Sequence, residues 1–331
     1  MSGEHLTGAA PVSAGFSAAV GPARAADSTG AAPSHRLHAA GRILQIGGRP
    51  LLMGVVNASP DSFSDGGRYT THEQRIELAA ELLDAGADIL DVGGESASTD
   101  RPAVGVAEEV ERVAPLIERL VGELGATVSV DTYKPPVASA AIAAGASIVN
   151  DVSGLCDPEL AQVCAQTGAA LVLMHTRAAP KQRLQDPDLY VDVVEEVLAF
   201  LRERIATALE HGMAAEQLIV DPGPDFAKTP AQTVELLVAL PRLHELGRPV
   251  LMAISRKDFI GALTGRAPRT RLAGTLAALA HGLDAGAHIF RVHDVVAAAD
   301  FIAVRSALRG ERTVERELVL ADELRHDRPG S

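Results

Sequence analysis

Polar side chains placed directly behind short apolar runs are the first features of this sequence that could do chemistry. Asn57 closes the run 51–56, Asp91 lies in the run 88–92 ahead of Gly93-Gly94-Glu95, and Asp131 follows 127–130. Asn150 and Asp151 follow 147–149, Met174 and His175 close 169–174, and Asp221 follows 217–220. Ser255, Arg256 and Lys257 come after 250–254, and Arg291 and His293 end the run 288–292. A charge left unpaired beside a buried run is costly, so these groups must have partners or a ligand. Their chemistry divides by sign. Asp131, Asn150 and Asp221 offer acceptors that suit a heterocycle with a row of N–H donors, such as an aminopyrimidinone. Lys257, Arg291 and His293 offer donors that suit an anionic group. Asp151 reads instead as a turn or helix cap, and His175 as a packed histidine behind the site.

The elements that carry these residues alternate in texture between about 43 and 310. Eight short apolar runs suit strands buried on both faces, as in a parallel sheet. Helix-period segments separate them: 73–85 with Ile76, Ala79, Ala80 and Leu83 on one stripe, 106–121 with Val110, Val113, Ile117 and Leu120, and 190–209 with Val193, Val197, Leu201 and Ile205. Thr71 and Gln74 have capping-box spacing. Gly86, Gly145, Gly168, Gly247 and Gly286 each stand where a left-handed helix cap precedes a strand. Eight β/α repeats predict a TIM (β/α)8 barrel, whose site lies at the C-terminal ends of the strands. The alternative, a doubly wound sheet, wants a G-x-G-x-x-G loop after an early strand, and none is present.

The domain expected is a single barrel over 42–310, with a hairpin over 42–49 beneath it. A disordered arm rich in Ala, Gly, Ser and Pro is expected over 1–41, and a charged tail over 311–331, where Val314, Leu318 and Leu320 form one short helix or fray. The net charge of −13 comes with no Lys/Arg stripe, which excludes a nucleic-acid footprint. No run reaches the length of a membrane helix. Two cysteines, Cys156 and Cys164, make no disulfide framework and suit a reducing cytoplasm.

The motifs together resemble the dihydropteroate synthases. Val56-Asn57-Ala58-Ser59-Pro60-Asp61-Ser62-Phe63-Ser64-Asp65-Gly66-Gly67 is similar to the first-loop signature of that family, and Asp91-Val92-Gly93-Gly94-Glu95-Ser96 to the start of the second loop. Ser129-Val130-Asp131-Thr132, Asn150-Asp151-Val152-Ser153-Gly154, Asp221-Pro222-Gly223, Ser255-Arg256-Lys257 and Arg291-Val292-His293-Asp294 follow in the family's order. The resemblance spans about 43–310.

The resemblance implies a transferase of folate biosynthesis. It would join 6-hydroxymethyl-7,8-dihydropterin diphosphate to p-aminobenzoate, release pyrophosphate, need Mg²⁺ and work as a homodimer. Carried over by position, Asp131, Asn150, Asp221 and Lys257 hold the pterin, with Met174 packed near it. Asn57, Arg291 and His293 bind the diphosphate, and Asn57 its Mg²⁺. Phe63, Ser64 and Asp65 ride on a first loop that closes over the reacting carbon, with Asp65, Lys257, Arg291 and His293 in catalytic roles. Phe226 and Lys228 border the p-aminobenzoate channel.

Three departures from the family pattern concern the second substrate. The usual Thr-Arg of the second loop is Ala97-Ser98, with Arg101 nearby as a substitute. A Ser after the lysine is Asp258, whose charge would repel a carboxylate. The Gly before Phe226 is Asp225, in the stretch Pro224-Asp225-Phe226-Ala227-Lys228. A synthase could then recognise the carboxylate through Arg256, Arg101 or backbone N–H groups. Two alternatives stay open here. One is a pterin-binding paralogue with a different amine acceptor or no catalysis. The other is a pterin-dependent methyltransferase barrel, which shares the Asp/Asn/Asp set but generally lacks the Ser-Arg-Lys and Arg-Val-His segments.

Overall fold

A computed structural model of the chain describes residues 33–59, 71–96 and 102–325. Eight parallel strands form one sheet: β3 (Leu51–Asn57), β4 (Ile89–Gly93), β5 (Val128–Asp131), β6 (Ile148–Asp151), β7 (Ala170–Met174), β8 (Leu218–Asp221), β9 (Leu251–Met252) and β10 (Ile289–Val292). The pairing order is β8-β7-β6-β5-β4-β3-β10-β9. A parallel bridge from Val220 to Val250, with Val220 N donating to Pro249 O at 2.9 Å, joins the two ends and closes the barrel. β9 is shorter than its apolar run of 250–254 because the chain leaves the ladder after Met252 for a turn in which Arg256 takes φ +59°.

Helices α1 (His72–Asp84), α2 (Val106–Leu124), α3 (Pro135–Ala143), α4 (Glu159–Thr167), α5 (Val193–Glu210), α6 (Pro230–Val238), α7 (Asp258–Thr264), α8 (Leu272–Asp284) and α9 (Val295–Leu308) connect the strands. Their starts follow local chemistry. Thr71 and Gln74 form the capping box of α1, and Thr229 and Gln232 that of α6. Asp192 caps α5 by accepting from Val194 N and Glu195 N. The five predicted cap glycines all take positive φ.

The first hairpin departs from expectation. It pairs β1 (His35–Ala39) with β2 (Arg42–Ile46), so residues 35–41 belong to it and not to the arm expected over 1–41. The reason is an alternation that is easy to miss in HRLHA: Leu37 and Ala39 point inward and are fully buried, while Arg36 and His38 face out. With Ile46 they seal the barrel interior, packing with Met53, Ile89, Ile148, Val172, Ile219, Leu251 and Ile289. Among the described residues of the tail, 311–325, a short 3-10 helix forms at Asp322–Leu324, and Val314, Leu318 and Leu320 are exposed. Among the described residues no helix is long and apolar enough to cross a membrane.

Strand parity carries this floor up to the site. Side chains of a strand alternate between faces. Ile89 lies inside the barrel and Leu90 and Val92 lie outside, so Asp91 points in. The same count from Met53, Ile148, Val172, Ile219 and Ile289 sends Asn57, Asn150, Met174, Asp221 and Arg291 inward. Val128 and Val130 on the outer face leave Ser129 and Asp131 inside.

Candidate active site

Arg291 organises the centre. Its Nε donates to Asp91 Oδ2 at 2.6 Å and its Nη2 to Asp131 Oδ2 at 3.0 Å. Asn150 Nδ2 donates to the same Asp91 oxygen at 3.1 Å, while the buried Asp91 Oδ1 and Ser129 Oγ have no partner. The two half-sites expected from the sequence therefore meet: a donor assigned to the anion end is ion-paired with an acceptor assigned to the heterocycle end. Burial pushes the Asp131 carboxyl up, to about 7, with Arg291 opposing and Asp91 adding to the rise. Asp221 is pushed up to about 6 by burial, against the hydrogen bond from Gly223 N.

Asp221 also builds the loop after β8. Its Oδ1 accepts from Gly223 N at 2.7 Å, and its carbonyl accepts from His175 N at 2.9 Å. Gly223 has φ +64°, and a Cβ there would lie 2.1 Å from His175 O, so no other residue fits. Beneath this loop His175 packs edge-on against Phe200, 4.8 Å between centroids, and accepts through Nδ1 from Lys228 Nζ at 2.8 Å. Lys228 is fully buried, and its ammonium is spent on His175 and the carbonyls of Gly223 and Phe226. It supports the loop from below and does not border a channel, contrary to the sequence expectation. Burial lowers its ammonium to about 7. His175 is likewise a packed, neutral histidine behind the site, and Asp151 is a turn residue that accepts from Ser153 N and Leu155 N.

Lys257 and His293 complete the rim. Lys257 Nζ lies 4.3 Å from the centroid of the half-buried Phe226 ring, a cation–π contact. Burial lowers the Lys257 ammonium, with Asp225 and Asp221 opposing. His293 is held down, to about 3, by burial and by the cations Arg291, Arg256 and Lys257. It is therefore a neutral imidazole. Its backbone N–H donates to Ser255 Oγ at 3.2 Å, and its Nδ1 lies 3.0 Å from the same hydroxyl. When the hydroxyl donates to Nδ1, the ring proton sits on Nε2 and is available to a ligand.

Two of the residues expected around the second substrate, Arg256 and Asp258, have protein partners. Arg256 forms a two-point ion pair with Asp294, at 3.2 and 2.9 Å. Asp258 is no bare repelling charge, since it pairs with Arg271 at 3.0 Å and Arg183 at 3.7 Å. Phe63, Ser64 and Asp65 lie outside the described residues, as do Ala97, Ser98 and Arg101.

Some contributors escaped the sequence reading. Asp91 was legible as a charge inside an apolar run, but its role needs strand parity. Ser255 stood in a quoted motif without an assigned partner. Arg271, from the start of α8, donates to Arg256 O, Lys257 O and Asp258 Oδ1 and so shapes the Lys257 turn. Lys134 ties Glu95 of the second loop to Glu109 of α2, and nothing in a lone Lys signals that.

The sequence pattern of the family described as pterin binding enzyme matches residues 53–293. The dihydropteroate synthase of Synechocystis sp. is 41% identical over 264 residues, which is 79% of this chain and 91% of the relative. The chain belongs to the dihydropteroate synthase family. Among solved members, Xanthomonas albilineans dihydropteroate synthase with 4-aminobenzoic acid aligns with TM-score 0.77 at 47% identity, covering 84% of this chain and 99% of that one. A second structure from that organism, in complex with 7,8-dihydropteroate, aligns with TM-score 0.74 at 46% identity, covering 83% and 98%. A family of TIM barrels with these neighbours matches the architecture described above.

Proposed function

We propose that this protein is a dihydropteroate synthase: it condenses 6-hydroxymethyl-7,8-dihydropterin diphosphate with p-aminobenzoate and releases pyrophosphate. The observation that carries this is the ring of Asp131, Asn150, Asp221, Lys257 and Arg291, with Asn150 and Asp221 buried, the other three partly buried, and both charge signs on one rim. Asp221, Asn150 and Asp131 accept the N–H groups of the pterin. Lys257 donates to its acceptor edge, and Met174, buried on β7, packs against the ring.

The reaction is a displacement at the exocyclic methylene. The amine nitrogen forms the new C–N bond, the C–O bond breaks with its electron pair leaving on the diphosphate, and the nitrogen sheds one proton to water. Arg291 and the Nε2–H of His293 stabilise the departing oxyanion. Holding the pterin rigidly lets the ring share positive charge on the carbon, and no covalent enzyme intermediate is required. Asp65 on the first loop is assigned to the reacting centre and Phe63 and Ser64 to its cover, all by family position. Phe226 walls the acceptor side.

Among the described residues, Mg²⁺ would fit this site as a substrate-borne ion. Among the described residues no group of three or more His, Cys, Asp or Glu could hold a metal, whereas Mg²⁺ keeps waters and accepts one amide oxygen plus diphosphate oxygens. Asn57, at the inward end of β3, would supply that oxygen. When bound, the ion neutralises charge on the diphosphate. Two unpaired cysteines suit the cytoplasm. Val296, Val304 and Leu308, exposed on one stripe of α9, favour a homodimer through the late helices.

Arg291→Ala separates this reading from a pterin-dependent methyltransferase barrel, which has no diphosphate to hold. The variant is expected to weaken the dihydropterin diphosphate by about a hundredfold, from the loss of a charge-assisted contact, and the free pterin alcohol far less. Calorimetry with both ligands reads the difference. Equal losses for the two would remove the leaving-group role.

A further inference from the structure

Asp225 and Ala227 flank Phe226 with φ of +67° and +51°, a backbone that side chains rarely adopt. Something must hold that loop. Asp225 Oδ2 accepts from Asp258 N at 2.5 Å and from Phe259 N at 3.3 Å, and Oδ1 lies 3.2 Å from Phe259 N. Thr233 of α6 closes the circuit: its Oγ1 donates to Asp225 Oδ1 at 3.3 Å and accepts from Asp225 N at 3.2 Å. One carboxylate thus joins the β8–α6 loop, the start of α7 and α6. The residue immediately before Asp258 is Lys257, and the residue after Asp225 is Phe226, whose ring carries the Lys257 ammonium.

We infer that Asp225 is a positioning residue for pterin binding: its carboxylate clamps the first amides of α7 and so sets Lys257 over Phe226 at the ligand mouth. The inference rests on the reading of Lys257 as a pterin donor. It has a mechanical part, the clamp, and an electrostatic part, because Asp225 is a nearby negative charge that favours the charged form of Lys257. The charged or titratable groups around that ammonium are Asp221 on β8, Asp225 and Lys228 on the following loop, Asp258 on α7, Arg291 on β10 and the neutral His293 just after it. Of the carboxylates, Asp225 raises the Lys257 ammonium most.

The test is calorimetric binding of 6-hydroxymethyl-7,8-dihydropterin to the full chain from pH 6 to 10. Asp225→Asn keeps an acceptor but removes the charge, so Lys257 loses its proton at lower pH. Its alkaline limb should move down by about 0.5 pH unit or more. Thr233→Val keeps the charge and loosens the clamp; it should weaken binding at every pH, by about tenfold or less, without moving the limb. Asp225→Ala should show both effects, and if it does not fold, the other two variants still decide. An Asp225→Asn limb that coincides with the wild type, or an equal shift in Thr233→Val, would overturn the inference. Wild-type protein that binds no pterin would take down the underlying reading and this inference together. Wild-type binding matched by all variants would remove only the inference.

Discussion

Asp221→Asn is expected to cost at least about a hundredfold in pterin affinity, roughly 3 kcal/mol. The fold should survive, because one Asn oxygen can still accept from Gly223 N, which Asp221 Oδ1 accepts at 2.7 Å. What changes is the face turned to the ligand. Asp221 is 2% exposed, so a pterin N–H meeting an Asn NH₂ there has no water to turn to. The wild type predicts its own pH signature. Burial lifts Asp221 to about 6 and Asp131 to about 7, so each accepts less well as pH falls through those values. Pterin affinity should therefore fall on the acid side of about 7, and in Asp221→Asn the lower of the two steps should vanish. Calorimetry that finds the variant within threefold of wild type would mean that the ring is not held where the account puts it.

Lys134→Ala carries the largest expected stability loss. The Lys134 ammonium lies 2.8 Å from Glu95 and 2.5 Å from Glu109, and also donates to Val104 O at 2.7 Å. Glu109 is 1% exposed and accepts from Thr132 Oγ1. Burial opposes ionisation of Glu95, but the hydrogen bond from Lys134 and the one from Val104 N keep its carboxyl below the usual range. Removing the cation strands two like charges in one buried place. Breaking one side of such a network costs about 3–5 kcal/mol, which for a domain of this size lowers Tm by roughly 10 °C. Without Lys134, burial is opposed less at Glu95 and its carboxyl gains a proton more easily, so the loss should shrink as pH falls toward 4. Thermal melts at pH 7 and pH 4.5 measure both. A loss under about 1 kcal/mol at pH 7 would show that the network is solvated and holds nothing in place.

These two residues also mark what can be seen in an amino-acid sequence. Asp221 could be found because a charge directly after four apolar residues is visible in one dimension, and the same holds for Asp131, Asn150 and Arg291. The eight strands were legible for the same reason, since a strand buried on both faces has a continuous apolar signature. Lys134 could not be found, because its partners lie 25 and 39 positions away and a lysine most often faces water. Lys228 misled for that reason too: one of its partners is an imidazole 53 positions earlier, just after β7. Asp225 and Asp258 looked like two bare negative charges, and only the approach of α7 and Arg271 neutralises them. The hairpin spans 35–46 and not the expected 42–49, because two histidines and an arginine mask the two-residue alternation of its first strand.

Asp225 and Asp258 give the question of the acceptor its edge. One carboxylate already holds the first amides of α7, and Arg256 is paired with Asp294, so two of the groups proposed for the p-aminobenzoate carboxylate are in use. A protein that binds the pterin half and uses another amine would look the same on that side. The deciding measurement is pyrophosphate release from 6-hydroxymethyl-7,8-dihydropterin diphosphate and Mg²⁺, with and without p-aminobenzoate. The account predicts release that depends on p-aminobenzoate, with one dihydropteroate formed for each pyrophosphate. Binding of the diphosphate without any p-aminobenzoate dependence would contradict it and assign the second site to a different acceptor.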